Sequence, residues 1–477
     1  MKKWFSVIPM LLFILLLPLN VQAANVLQEI KGIVKSEYYG EIKGNIDQAT
    51  TIDEAINMLD PYSSYFTQEE YDSFMNTVNM KQVGIGVVML QHEKGMLITY
   101  VIEDGSAFEQ GLEAGDIITK VDSVSLQGKT VEEGQALLLG KENTKVTVQV
   151  LKADGSTVTK TLTRKPFSIP NTASRLLYGN VGYIQLQSFS ENAAELVKKE
   201  YDKLKKQGAT SFILDLQNNG GGYVDAAEDL IGLFQNTEYA YKVKYSKVNT
   251  QYYLYYDRER NKYQLASDGS LLVKLVGPQR IFDNHTKVLV NRYSASASEM
   301  TVASLKDYQA AVIYGEKTYG KGTMQAFYEL SDNGVLKLTI GEFFGPNGTV
   351  IRNTGITPDI ITKSDPLYQA HYDAIAEKLA NYKEMKALTN VPTTKTFTIT
   401  LNRQLGPVNG NDVELVELGG NKVDVSLSTK GNQLIVTPNQ PLSAGSEYML
   451  LVHPTLKDKQ NNPLKEGAYL RVTVRNN

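Results

Sequence analysis

Two short segments carry side chains able to make and break an ester. The first, Ser294-Ala295-Ser296-Ala297-Ser298-Glu299-Met300, follows the apolar run Val288-Leu289-Val290 and precedes helical spacing to about Tyr308. A hydroxyl at a helix start stands beside unpaired amides and the positive end of the helix dipole, which stabilise an oxyanion forming next to an attacking oxygen. The same residues also make an ordinary helix cap. Ser296 followed by Glu299 has the capping-box pattern, worth about 0.5–2 kcal/mol of helix stability. A serine nucleophile needs a base, and the four histidines, His92, His285, His371 and His453, sit in no recognisable triad setting. No Gly-x-Ser-x-Gly elbow occurs either.

The second segment supplies a different base. Gly315-Glu316-Lys317-Thr318-Tyr319-Gly320-Lys321-Gly322-Thr323-Met324-Gln325 flanks a lysine with glycines just before a strand. Most lysines are solvated, so the plain reading is an exposed turn. To act as a base near neutral pH, Lys321 must lose about three pKa units by burial, roughly 4 kcal/mol of differential interaction. Gln325 returns to the same face four residues on, where its amide can orient the lysine. A third segment, Leu214-Asp215-Leu216-Gln217-Asn218-Asn219-Gly220-Gly221-Gly222-Tyr223, runs from a strand through three glycines into a helix. It lacks the Gly-Lys-Ser/Thr ending of a phosphate loop, and its bare amides suit a developing oxyanion.

These segments need elements to hold them. Residues 25–78 show helical spacing, with Ile30, Ile33 and Val34, then Ile52, Ile56, Met58 and Leu59, a turn at Asp60-Pro61, and a capping-box start at Thr67-Gln68-Glu69-Glu70. Residues 81–166 read as short strands around one helix near 131–139, a unit large enough to be a domain. Residues 167–388 alternate strands and helices, which predicts a layered α/β core ending in an amphipathic helix over 365–388. Within it, Tyr239, Tyr241, Tyr245, Tyr252, Tyr253, Tyr255, Tyr256 and Tyr263 read as packed strand faces of a surface insertion. Residues 389–395 read as a linker, and 396–477, all short strands and turns, as a β-sandwich.

Bulk properties narrow the function. A chain of 477 residues predicts three or four domains, each with a core of its own. With 49 basic and 52 acidic residues the charge is −3, which gives no attraction for nucleic acid. There are no cysteines, so disulfides, thiolate metal sites and thiol proteases are excluded. Lys2 and Lys3, the apolar run 5–19 and Val21-Gln22-Ala23 form a secretory signal, expected to be cleaved after Ala23. The alternative is a retained anchor. Either way the protein is expected to be exported, to the cell envelope or beyond.

In order and character the three segments resemble the C-terminal processing, or tail-specific, serine proteases. Leu59-Asp60-Pro61-Tyr62-Ser63-Ser64-Tyr65 and Gly355-Ile356-Thr357-Pro358-Asp359 extend the resemblance over about residues 30–365. Counting back from Lys321 by the family's spacing selects Ser296 as nucleophile over Ser294 and Ser298. The resemblance implies Lys321 as base, Gln325 as its assistant, the Gly221 and Ala297 amides as oxyanion donors, and Asp307 in a supporting role. It also implies a layered core of the crotonase/ClpP-like type. Gly84-Ile85-Gly86-Val87 with Gly111-Leu112-Glu113-Ala114-Gly115-Asp116 is similar to a PDZ module, and such modules capture a C-terminal carboxylate and add the peptide as a strand. Gln217, Gly220 and Leu139 depart from the family's usual arginine, proline and arginine. The sandwich resembles the Ig-like modules of bacterial envelope proteins.

The expectation is therefore a multidomain α+β serine endopeptidase that takes polypeptides with accessible C-termini and needs no metal or cofactor. The alternative is a catalytically silent PDZ-containing envelope scaffold. Pairing of the helical start into a homodimer and cell-wall association through the sandwich are further partner expectations.

Overall fold

The computed structural model describes residues 17–235, 239–246, 249–251, 254, 262–275 and 279–476. Lys2, Lys3 and the apolar run up to residue 16 lie outside these residues, as do Tyr252, Tyr253, Tyr255 and Tyr256. Among the described residues no helix is long and apolar enough to cross a membrane.

Strands that are apolar almost throughout must be covered on both faces, and the catalytic-type motifs hang from three of these. Ser211–Asp215, Lys287–Val290 and Val312–Gly315 lie side by side and parallel in a six-stranded sheet. The sheet is completed by Thr172–Leu177, Val181–Leu186 and Ile360–Ile361. Because the three central strands run the same way, their C-terminal ends open at one edge, the usual place for a site in such sheets. The glycine segment, the serine segment and the lysine segment follow those ends in turn.

A second sheet, largely antiparallel, stands opposite. It orders Ser64–Phe66, Val335–Phe344, Tyr239–Tyr245, Leu271–Lys274 and Tyr263–Leu265, with Thr323–Glu329 also paired to Val335–Phe344. The helix Ala297–Asp307 packs between the sheets, and residues 297–305 are all buried. Its small and polar side chains fit because they find partners: Ser298 Oγ donates to Asn219 O at 2.8 Å and Thr301 Oγ1 to Ala297 O at 3.0 Å. Tyr241 and Tyr245 are buried strand residues, matching the expectation of packed strand faces.

The N-terminal helical region shares its core with the second sheet. Val26, Ile30, Val34, Ala55 and Leu59 pack against Leu330, Leu336 and Leu338 of the α/β core, while Ser64 pairs with Lys337 across the strands. Short helices such as Ile52–Asn57 and Gln68–Val78 cannot enclose a core alone, so they borrow the neighbouring sheet.

The PDZ-like unit is a six-stranded antiparallel sheet with its own core, including Ile85, Met96, Ile98, Ile118 and Val148. The strand Val87–His92 lies at the edge of this sheet, with the helix Val131–Leu138 against it.

Two expectations near the end of the core are corrected. The helix expected over 365–388 ends at Ala376, having begun at Pro366 with Asp365 as its cap. Tyr382–Glu384 and Leu388–Val391 instead pair in parallel with Gly467–Val474, so the expected linker 389–395 begins inside the sandwich. Tyr382, Met385 and Leu388, three residues apart, fit a helical spacing, and tertiary pairing overrides it. The sandwich stacks this sheet on a three-stranded one, Phe397–Thr400, Gln433–Pro438 and Val425–Lys430. It is docked rather than tethered: Tyr372 and Ile375 pack with Val416, Leu418, Met449 and Leu451.

Candidate active site

The serine segment turns sharply from strand to helix. Ser296 has φ 58° and ψ −115°, outside the wells that ordinary L-residues occupy. Such a conformation costs on the order of 1–3 kcal/mol and needs surrounding structure to hold it. The two neighbouring serines do part of that holding. Ser294 Oγ donates to Leu216 O at 2.8 Å and accepts from Asn291 N at 3.0 Å. Ser298 Oγ binds Asn219 O, as above, and both residues are fully buried. Of the three serines, Ser296 alone lines the cavity between the loops.

That cavity, of about 380 Å³, gathers Ser296, Ala297, Gly221, Lys321 and Gln325. Its walls are mostly apolar, with Met75, Met300, Met324, Phe327 and Phe343 among them. Gly221, at φ 102°, comes so close to Ser296 that a β-carbon on it would fall 2.8 Å from the Ser296 Cβ and 3.0 Å from Ala297 N. Only glycine permits that approach. The Gly221 amide itself donates to Asn219 Oδ1 at 3.0 Å. Asn219, fully buried, also binds Leu186 O and accepts the Ala295 amide, so it ties the glycine loop to the serine loop.

Burial lowers the pKa of Lys321 to about 8, with the nearby Lys337 ammonium adding to the effect; Asp60 and Glu299 oppose it. Its Nζ lies 5.2 Å from the Tyr62 ring centroid. No hydrogen bond joins Lys321 to Ser296. Gln325 faces the cavity, but its amide donates to Thr323 Oγ1 at 3.0 Å and Thr339 Oγ1 at 3.2 Å rather than engaging the lysine.

Glu299, read from sequence as a capping residue, does more. Its buried carboxylate accepts from Ser296 N (3.1 Å), Thr318 Oγ1 (2.6 Å), Gly320 N (2.7 Å) and Lys321 N (2.8 Å). It thus fixes the backbones of the serine and lysine loops to one group. Burial raises its pKa, and the four donors work against that rise. Asp60, read from sequence only as part of a turn, and Lys337, not singled out there, act on Lys321 through their charges.

Asp307 lies at the far end of the helix from Ser296. Its carboxylate accepts from Asn347 N at 2.8 Å and from Thr349 Oγ1, holding the turn 345–349. The PDZ residues form a separate place. Ile85 is buried, its carbonyl accepting from Ala107 N, and Gly86 at φ 80° packs on Gly105 too closely for a side chain. The strand that follows offers an unpaired edge, which is what strand addition requires. Leu139 packs towards Gly84, and the C-terminal carbonyls of the adjoining helix are taken by Arg164, to Leu137 O at 2.9 Å and Leu138 O at 3.0 Å.

Residues 180–362 match the model of peptidase family S41, residues 97–152 a PDZ domain, and residues 385–471 a bacterial Ig-like domain. A "Probable CtpA-like serine protease" of Staphylococcus aureus (strain MRSA252) is 31% identical over 376 residues, 79% of this chain and 68% of that protein. The "Carboxy-terminal processing protease CtpA" of Bacillus subtilis (strain 168) is 31% identical over 333 residues, 69% of this chain and 66% of that protein. A solved structure titled photosystem II D1 C-terminal processing protease is 23% identical, covers 75% of this chain and 96% of its own, and has a TM-score of 0.43. The chain belongs to peptidase family S41, as a carboxy-terminal processing serine protease with PDZ and Ig-like domains.

Proposed function

We propose that this protease is an exported endopeptidase in which Ser296 is the nucleophile and Lys321 its general base. The observation that carries the reading is a lysine amine, its pKa lowered to about 8, in the same apolar-walled cavity as the one free-facing serine of three. Neutral Lys321 takes the Ser296 proton as the oxygen attacks the peptide carbonyl, and the resulting ammonium returns a proton to the leaving amine. The oxyanion is received by the Ala297 amide at the helix start and by the Gly221 amide once it exchanges Asn219 for the substrate. Gln325 makes a like exchange, from the two threonines to the lysine. Ser296 and Lys321 share one cavity, so alignment needs rearrangement within it rather than between domains. Hydrogen bonds of this kind are often long before substrate binds.

Selection of chain ends falls to the Gly84-Ile85-Gly86-Val87 loop and the adjacent open strand edge, which suit a peptide with a free carboxylate. Export follows from the basic start and apolar run before Ala24. Subunit pairing through the N-terminal helices and cell-wall docking of the Ig-like domain complete the proposal, tested by sedimentation and by binding to isolated walls.

The decisive experiment uses a fluorophosphonate probe and a fluorogenic peptide with a free apolar C-terminus. Wild-type protein should label at Ser296, and its kcat/KM should rise with pH to a plateau above about 8, as Lys321 loses its proton. Ser296→Ala and Lys321→Ala should each abolish turnover without altering the circular dichroism. Normal turnover in either variant would refute the assignment. Equal cleavage of an amidated peptide would remove the PDZ role, and a mature N-terminus other than Ala24 would remove the cleavage site.

A further inference from the structure

The cavity holds a second amine that the mechanism above does not use. Lys337, in the strand Val335–Phe344, lines it together with Lys321. Its Nζ stands 4.8 Å from the Phe74 ring centroid and 6.0 Å from that of Phe66, and the two rings stack on each other at 5.5 Å. It makes no hydrogen bond or ion pair among the described residues. Nearby is a carboxylate with spare capacity. Asp60 Oδ1 accepts from Tyr62 N, Ser63 N and Ser63 Oγ, whereas Asp60 Oδ2 is buried without a partner.

Counting charges over every element that faces Lys321 leaves an imbalance. The charged groups are Lys337 from the second sheet, Asp60 from the turn before it, and Glu299 from the helix Ala297–Asp307. The glycine loop and the helix Gln68–Val78 contribute only uncharged cavity-lining residues. Glu299 is already committed to four donors. One carboxylate with a single free oxygen therefore serves two amines that line one cavity, and a charge on either amine makes a charge on the other harder to hold. Burial lowers the pKa of each amine, and both lie over rings that can hold a cation, Lys337 over Phe74 and Phe66 and Lys321 over Tyr62. The positive end of the helix that begins after Ser296 disfavours one at Lys321.

We propose that Lys337 is a positioning residue for the hydrolysis: its ammonium, held over the Phe74 ring and facing Asp60, makes it easier for Lys321 to shed the proton it must lose before it can accept that of Ser296. This rests on the Ser296–Lys321 reading. Burial is the larger influence on Lys321, and the repulsion from Lys337 adds to it. The same electrostatic device needs no contact between Lys337 and substrate.

The test is the pH profile of kcat/KM for the purified full chain, using the fluorogenic peptide, with Lys337→Met and Lys337→Arg beside the wild type and Lys321→Ala. Loss of the repelling charge in Lys337→Met should move the acid limb up by about one pH unit. Activity near pH 7 should then fall about tenfold and recover above the limb. Lys337→Arg keeps a cation and should keep the limb. An unmoved limb in a folded Lys337→Met protein, or an arginine variant that behaves like methionine, would overturn the proposal. Turnover surviving in Lys321→Ala would instead bring down the underlying assignment, whatever Lys337 does.

Discussion

The Glu299 carboxylate accepts the backbone amide of Lys321 at 2.8 Å, and the same oxygen accepts that of Ser296 at 3.1 Å. Two loops that follow different strands are thereby referred to one atom. Glu299→Gln keeps the shape but replaces an acceptor oxygen with an NH2 group facing amide donors. Hydrogen bonds to charged groups contribute about 1.5–3 kcal/mol each, so the variant should lose about 2–4 kcal/mol of unfolding free energy. Its kcat/KM should fall on the order of a hundredfold, because small misplacements of reacting groups are expensive. Urea denaturation and peptide turnover measure both effects, and wild-type values in each would show that the clamp has no role.

The three serines separate into structural and reactive roles by their partners. Ser294→Ala would leave the buried Leu216 carbonyl and the Asn291 amide without the hydroxyl that now serves both. A stability loss of about 1–3 kcal/mol is expected, with fluorophosphonate labelling retained. Ser298→Ala should behave likewise through Asn219 O. If labelling vanished in a folded Ser294→Ala or Ser298→Ala protein, the division of roles would be wrong.

The segments that meet at the cavity were legible because each sits where a strand stops, and serine, glycine and lysine at strand ends are unusual enough to notice. Their meeting follows from three strands being parallel neighbours. Glu299 was legible only as a cap, since three of its four donors lie near Ser296's partner loop, beyond any local pattern. Lys337 gave no signal at all, being one more lysine on an alternating strand. Asp60 was visible as a turn former before Pro61, but nothing local indicates that one of its oxygens is buried and unpaired. Tyr382 to Val391 were misread because strand pairing with residues far along the chain overrode a local helical spacing. The shared N-terminal core was hidden for a similar reason: apolar spacing tells which face is buried, not against what.

The backbone at Ser296 gives a stability prediction that separates function from folding. With φ at 58° and ψ at −115°, any β-carbon there is strained. Ser296→Gly relieves on the order of 1–3 kcal/mol while adding roughly 0.5–1 kcal/mol of unfolded-state entropy. The variant should therefore be inactive and about 1 kcal/mol more stable than wild type, whereas Ser296→Ala keeps the strain and should show no such gain. Parallel denaturation curves of the two variants decide it. A glycine variant less stable than the alanine one would mean that the turn is unstrained.

The last prediction concerns how the Ig-like domain is held. His371, fully buried on the helix Pro366–Ala376, binds Tyr178 O through Nε2 at 2.9 Å and accepts the Gly419 amide on Nδ1 at 2.8 Å. The second bond requires a bare Nδ1, so the ring is neutral with its proton on Nε2. Burial depresses its pKa to about 4. Below the unfolded value near 6.5 the unfolded chain gains a proton that the folded chain refuses. Stability from this group is thus intact above about pH 6.5 and is lost as pH falls towards 4, by roughly 3 kcal/mol. Asp215 opposes this trend, since burial pushes its carboxyl up to about 6 and this group weakens the fold as pH rises through the same range. Total stability is therefore a poor readout, and the comparison to make is between wild type and His371→Gln. The variant should be less stable at pH 7, and the gap should close as pH drops from 6.5 to 4. The protection factor of the Gly419 amide, its exchange rate taken relative to the intrinsic rate at each pH, should fall over the same interval in wild type. A gap independent of pH would mean that the imidazole does not titrate against this interface.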